Sequence, residues 1–290
     1  MPRTLPLALL AGLAGIAGSF ASCSSFTEDA ATVDDAGTSD APALLDASLD
    51  SSTAETSLDA ARASTTYRDA VLADGPIAYW RMGNVDNGVS IRNEVDGGTA
   101  LILQNIDDMT TGAPGALSSD PDPSILFHGK NGHAIASDAT RFQFLTPEVF
   151  TIELWARSTA PDAGGEEYPT LFSTSEGFDQ GTNGYLLYGV QTTKRAQYNY
   201  GPSTLTALTT MGTGWRHYAV TFDGTKSTLF IDGAMNVTKT ADAGSAARVV
   251  RFAVGSNPAY GRYFSGAIDE VAIYDKALPF DRIAVHFGAR

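Results

Sequence analysis

Between 215 and 240 the chain alternates. Tyr218, Val220 and Phe222 share one parity, and His217, Ala219 and Thr221 share the other. Lys226–Ile231 and 235–240 repeat the pattern, and Asp-Gly pairs stand at 223–224 and 232–233. Asp-Gly beside alternating apolar residues is a hairpin signal, so this stretch predicts a β-meander. The run "FTIELWARS" at 150–158 predicts a central strand, with Phe150, Ile152, Leu154 and Ala156 opposite Thr151, Glu153, Trp155 and Arg157. Shorter runs such as "IAYWRM", "TALILQ", "SILFHG", "HAIAS", "PTLFSTS", "GYLLYGVQ", "RAQYNYG", "RFAVGS" and "FSGAIDEVAIYD" bring the expectation to about fourteen strands. Helical turns are expected only near 65–76 and in "ALPFDRIAVHFG". Many short strands with closely spaced turns predict an antiparallel sandwich or barrel and argue against βαβ folds. With no second linker and no repeat, 65–290 reads as one all-β domain.

The N-terminal part follows a different pattern. Arg3 is the only charge before Glu28, residues 5–16 are apolar, and small residues lead to Cys23. This is the layout of a secretory signal peptide at 1–22, and the apolar run is too short for a transmembrane helix. "FASC" at 20–23 resembles the bacterial lipobox, with Phe20 where Leu is usual. The resemblance implies lipidation at Cys23 and a membrane anchor at the cell envelope, on the periplasmic side or the cell surface. The other reading is cleavage near Ala21, leaving a free thiol. Cys23 is the only cysteine, so the domain is expected to need neither disulfides nor cysteine-bound metal.

Residues 23–64 are rich in Ala, Ser, Thr and Asp without period. Nine acids face one base, Arg62, so this stretch carries −8 of the chain's net −14. Such a composition predicts a disordered, self-repelling acidic tether. The chain's acidity also argues against nucleic acid and anionic membrane surfaces as partners.

Four segments together resemble the laminin G-like, concanavalin A-like lectin/glucanase domains of bacterial surface proteins. They are "YRDAVLADGPIAYWRMG", "FTIELWAR", "WRHYAVTFDGTKSTLFIDG" and "FSGAIDEVAIYDKALPFDRIAVHFG". The resemblance implies a two-sheet antiparallel jelly-roll sandwich with one concave, ligand-carrying sheet. It also implies a structural calcium ion near the meeting of the first and last strands. Asp269 matches the family's metal-proximal Asp. Asn84 and Asn93 stand where the family has a Glu and an Asp, which keeps a carbonyl ligand and loses a charge, and Glu94, Asp96 or Asp86 could compensate. The plainer reading makes Asp269 a loop-stabilising residue. In this frame Trp215, Tyr218, Val220 and Phe222 read as core.

Because the family includes glucanases, the enzyme reading needs a test. A retaining glycosidase uses two carboxylates about 5–5.5 Å apart. The family's Glu-x-Asp-x-x-Glu strand is absent here. Glu153 stands alone on its strand. Asp269 and Glu270 are adjacent, so regular alternation sends them to opposite faces, and Asp275 lies far from Asp269 along the strand. A pair from different strands remains open. There is no Gly-x-Ser-x-Gly elbow, phosphate-cradling loop or EF-hand loop. His128 and His133 flank a turn without a third metal ligand, and His217 reads as a sheet histidine. The sequon at Asn236 carries little meaning in bacterial export.

Aromatic residues beside polar ones point instead to binding. Tyr185, Tyr188, Tyr198 and Tyr200 lie on two neighbouring predicted strands, and Tyr260, Arg262 and Tyr263 in a loop. A sugar offers an apolar C–H face edged with hydroxyls, which a tyrosine ring and its hydroxyl complement. The expected ligand residues are Tyr188, Tyr198, Tyr200, Tyr260, Arg262 and Tyr263. The competing reading of each is half-buried packing. The sequence therefore predicts an envelope-anchored, non-catalytic recognition domain that binds carbohydrate. A protein-adhesion or structural module and a divergent glycan-cleaving enzyme are the alternatives.

Overall fold

The computed structural model describes residues 66–142, 144, 148–159, 167–174, 184–240 and 251–290. The predicted signal peptide, Cys23 and the acidic tether lie outside these residues. Helix α1 (Tyr67–Ala73) starts on Thr66, whose side chain accepts from Asp69 N at 3.2 Å. Seven strands follow: β1 (Ala78–Trp80), β2 (Val85–Asp86), β3 (Ser90–Ile91), β4 (Leu101–Gln104), β5 (Met109–Ala113), β6 (Ser124–His128) and β7 (His133–Ala136). The central run holds β8 (Phe150–Ser158), β9 (Thr170–Ser173), β10 (Tyr185–Val190), β11 (Arg195–Tyr200) and β12 (Ser203–Thr210). The predicted meander is β13 (Arg216–Phe222), β14 (Lys226–Ile231) and β15 (Ala234–Thr240). The chain closes with β16 (Ala253–Val254), β17 (Ser256–Asn257), β18 (Arg262–Tyr263), β19 (Ser265–Tyr274) and helix α2 (Phe280–Gly288).

These strands build two antiparallel sheets and a small ribbon. The first sheet has the order β15-β14-β13-β8-β19-β6-β5, with β1 also paired to β19. The second has the order β12-β11-β10-β9-β16-β7-β4-β3-β2, and β17 pairs with β18 separately. The first and last strands meet as the resemblance implied, Trp80 standing opposite Val271.

The core forms where the inner faces meet. Phe150, Ile152, Leu154, Tyr218, Val220 and Phe222 of the first sheet pack with Phe172, Tyr185, Leu187, Tyr198 and Tyr200 of the second. Ring centroids are 5.1 Å apart for Phe150–Tyr185 and 4.8 Å for Tyr200–Phe222. Each large apolar side chain buried there contributes about 1.5–3 kcal/mol.

The outer face of the first sheet is also buried. Trp155, Ala219, Phe230, Ala272 and Tyr274 pack beneath Tyr67 and Val71 of α1 and Ile283 of α2. Both parities of β8 and β13 are therefore covered. Trp215, expected in the core, is partly buried in this outer layer, with the Arg157 guanidinium 5.2 Å from its ring. Among the described residues no helix is long and apolar enough to cross a membrane.

Candidate functional site

Among the described residues, the expected metal and ligand residues point to two clusters of side chains. The first is acidic. Oxygens of Asp122, Asp269 and Glu270 lie within 4.8 Å of one another. Asp269 and Glu270 do not point to opposite faces as regular alternation predicts. The register of β19 against β8 shifts between Asp269 and Ala272, and Glu270 adopts φ 51°. This bulge turns both carboxylates towards Asp122. The 113–123 loop approaches closely because Gly115 lacks a side chain: a Cβ there would stand 2.2 Å from the Asp122 carbonyl oxygen.

Hydrogen bonds hold the cluster. Asp269 accepts from Ala116 N at 2.8 Å and Glu270 N at 3.0 Å. Glu270 accepts from the Tyr79 hydroxyl and from Arg81 Nε and Nη2, both at 3.2 Å. Arg81 Nη2 also reaches Asp120 at 2.6 Å. Burial pushes the Asp122 carboxyl up to about 6 against the pull of Arg81. Burial likewise raises Glu270 to about 8, against Arg81 and Tyr79. Asp269 is held well above the usual carboxylate range by burial and the neighbouring Glu270 charge.

The group fits a hard cation. It offers carboxylate oxygens, and Asp122 Oδ2 is buried without a hydrogen-bond partner, Arg81 Nε standing 3.9 Å away. Calcium takes six to eight such oxygens. The other two expected metal residues make hydrogen bonds of their own. Asn84 Nδ2 donates to Glu94 Oε1 at 2.7 Å. Asn93 Oδ1 accepts from Tyr79 N at 3.0 Å and Val95 N at 2.9 Å, and its Nδ2 donates to Thr99 O at 3.0 Å. Asn93 therefore organises a loop, and the residues beside Asp269 are Asp122 and Glu270.

The second cluster is aromatic and polar. Tyr188 and Gln197 share the outer face of the second sheet, because Tyr185, Leu187 and Tyr198 occupy the inner one. The Tyr188 hydroxyl donates to Gln197 Oε1 at 2.6 Å, and Gln197 Nε2 donates to Thr206 Oγ1 at 3.0 Å. Tyr168 meets Tyr188 edge-on at 6.0 Å. The Arg262 guanidinium lies 4.3 Å from the Tyr168 ring centre and 5.6 Å from that of Tyr260. Tyr263 sits 5.9 Å from His133. Asn257 stands directly opposite Arg262 across the β17–β18 ribbon, which puts both side chains on one side of it. Asn257 is fully buried, and both ends of its amide lack hydrogen-bond partners.

Four of the six expected ligand residues, Tyr188, Tyr260, Arg262 and Tyr263, thus belong to this face and its ribbon, Tyr188 buried beneath its neighbours and Tyr260 exposed. Tyr198 and Tyr200 do not. Both are buried in the core, where strand parity points them at the first sheet. Sequence reasoning missed Tyr168 and Asn257. Asn257 lies in "SNPAYGRY", and that loop signal was legible.

Two large antiparallel sheets packed face to face, with first and last strands paired, make this a β-sandwich of the jelly-roll kind. The family described as the concanavalin A-like lectin/glucanases superfamily matches residues 128–284, and the chain belongs to it. No curated protein matches the chain. Among solved structures, a Trypanosoma rangeli sialidase in complex with 2,3-difluorosialic acid superposes with a TM-score of 0.51 at 16% identity, covering 73% of this chain and 33% of that one. The binding domain of botulinum neurotoxin serotype D gives 0.55 at 12% identity, covering 76% and 52%. The binding domain of Paraclostridial Mosquitocidal Protein 1 gives 0.55 at 17% identity, covering 74% and 52%. At these identities the likeness is one of fold. The chain spans 33% to 52% of the length of these structures.

Proposed function

We propose that the domain is a non-catalytic recognition module that binds carbohydrate, held at the bacterial envelope by a lipid on Cys23. The observation that carries this reading is the assembly of Tyr168, Tyr188, Tyr260 and Arg262 from separate segments. An exposed ring such as Tyr260 can take up the C–H surface of a sugar, and a guanidinium beside it can donate to hydroxyls. Two of the similar structures are named as binding domains, one of a neurotoxin and one of a mosquitocidal protein, and a third is named as a sialidase in complex with 2,3-difluorosialic acid. These names are compatible with the reading.

Calcium at Asp122, Asp269 and Glu270 would be structural, joining the 113–123 loop to the bulge of β19. That role, rather than glycosidic chemistry, suits the Asp269 and Glu270 carboxylates, which are closed from solvent and tied to Arg81, Tyr79 and Ala116. A protein partner is the second reading. Leu208 is 66% exposed and Met235 62%, near the junction where Leu208 N donates to Asn236 Oδ1 at 2.7 Å. Glycan-array binding of the full chain, with and without calcium, separates the two. Binding lost in Arg262→Ala supports the carbohydrate site, and binding unchanged in that variant rejects it.

A further inference from the structure

On the outer face of the first sheet, ionisable side chains form a chain of alternating sign. Arg282 Nε donates to Asp74 Oδ2 at 2.8 Å and Oδ1 at 3.0 Å. Asp74 Oδ2 faces His286 Nε2 at 2.9 Å. His286 Nδ1 faces Glu153 Oε1 at 2.9 Å and Oε2 at 3.1 Å. His217 Nε2 faces Glu153 Oε2 at 3.0 Å. Glu153, His217 and His286 are fully buried. The remaining groups around His286 are polar but uncharged. The Ala70 carbonyl lies 3.2 Å from Nε2, the Tyr274 ring stacks at 6.3 Å, and the Tyr67 ring stands edge-on at 6.2 Å. The Tyr274 hydroxyl donates to Glu153.

Both ring nitrogens of His286 therefore face oxygen acceptors, with a carboxylate on each side. A neutral imidazole carries one N–H, so whichever nitrogen lost it would turn a lone pair onto a carboxylate. Only the imidazolium satisfies both contacts. The three partners belong to different elements: Glu153 to β8, Asp74 to the C-cap of α1, and His286 to α2. Helices of seven and nine residues are too short to persist alone, so their docking decides whether they stay folded.

We infer that His286 is a proton-dependent clasp: protonated, it ties both terminal helices to β8, and on losing its proton it lets them loosen together. Burial opposes the charge on His286, but Glu153 and Asp74 outweigh it and hold its pKa above the ordinary 6.5. A histidine raised on folding contributes stability that is complete below its unfolded pKa and is lost as pH rises through the folded one. The clasp is thus closed on the acid side and opens on the alkaline side.

The test uses the full chain. Proton NMR gives the His286 midpoint, assigned with His286→Gln, and amide exchange corrected for intrinsic rates follows both helices. Opening of 67–73 and 280–288 should rise about tenfold per pH unit from 6.5 to that midpoint and level off above it. Amides of β13 and β14 should stay protected throughout, and His286→Gln should remove the pH dependence. Flat protection of the helices across the window, or a midpoint at or below 6.5, overturns the inference. If His286→Gln does not fold, Asp74→Asn decides: loss of one carboxylate should lower the midpoint, and an unchanged midpoint counts against the clasp.

Discussion

Asp269 and Glu270 are neighbours on one strand, yet both carboxylates join Asp122 in a single acidic group. The positive φ of Glu270 and the register shift beside it break the alternation that would have separated them. Asp122 and Glu270 stand beside the Arg81 guanidinium, and Asp269 lies next to them. A divalent cation there would favour the ionised carboxylates over the protonated forms that burial favours.

Calcium should therefore raise thermal stability. A ligand specific to the folded state adds about 2.7 kcal/mol at a hundredfold excess over its Kd. For a domain of this size that is about 5–10 °C in Tm. Asp122 keeps some solvent contact, so Asp122→Asn should fold and lose the gain. An equal Tm with calcium and with chelator in the parent chain would reject the site.

Binding should depend on the plane of Arg262 as well as its charge. Lys keeps the charge but cannot stack on Tyr168 and Tyr260. Each such contact is worth about 0.5–1 kcal/mol at exposed sites. Arg262→Lys should weaken glycan binding by about three- to tenfold in calorimetry, and loss of the two intramolecular contacts should lower Tm by about 2–8 °C.

Tyr198 should be dispensable for binding. Its hydroxyl is buried in the core without a partner. Removing an unpaired buried polar group is neutral or stabilising. Tyr198→Phe should keep or raise Tm and leave glycan affinity intact, whereas Tyr198→Ala should cost about 3–5 kcal/mol through the cavity it leaves. A loss of binding in a fully stable Tyr198→Phe would return this residue to the site.

Glu153 should dominate acid stability. Burial alone would raise its pKa, but His286 and His217 hold the carboxyl well below the usual range. A depressed carboxylate contributes stability that is present above its unfolded value of 4.5 and is lost as pH falls towards the folded one. Glu153→Ala, which strands two histidines, should cost about 3–5 kcal/mol at neutral pH. Denaturant midpoints between pH 3 and 7, an assay window of about four units, should show the parent weakening below 4.5 and Glu153→Gln changing less.

Cys23 lies outside the described residues, and its role is tested in cells. Cys23→Ser should move the mature protein from the membrane fraction to a soluble or uncleaved form. Membrane partition that survives the substitution would remove the lipid from the proposal.

Local pattern determined the strands. Period-two alternation in 150–158 and 216–222 put Phe150, Ile152, Tyr218 and Val220 inside, and Asp-Gly pairs fixed the turns between β13, β14 and β15. Both terminal helical turns were likewise legible, as were the tyrosine-rich strands; Arg262, expected in a loop, stands instead in the β17–β18 ribbon. What lay beyond the sequence needed distances between strands. Parity alone does not say which face of β11 meets the other sheet, so Tyr198 and Tyr200 read as ligand residues until packing turned them inward. Nor does parity survive a bulge, which is why Asp269 and Glu270 looked separated. Glu153 looked solitary because its partners His217 and His286 arrive from 64 and 133 residues away. Alternation along a strand is local physics and can be read in order. Which buried charges meet is decided only when the sheets and helices close over one another and exclude the water that would otherwise solvate each charge separately.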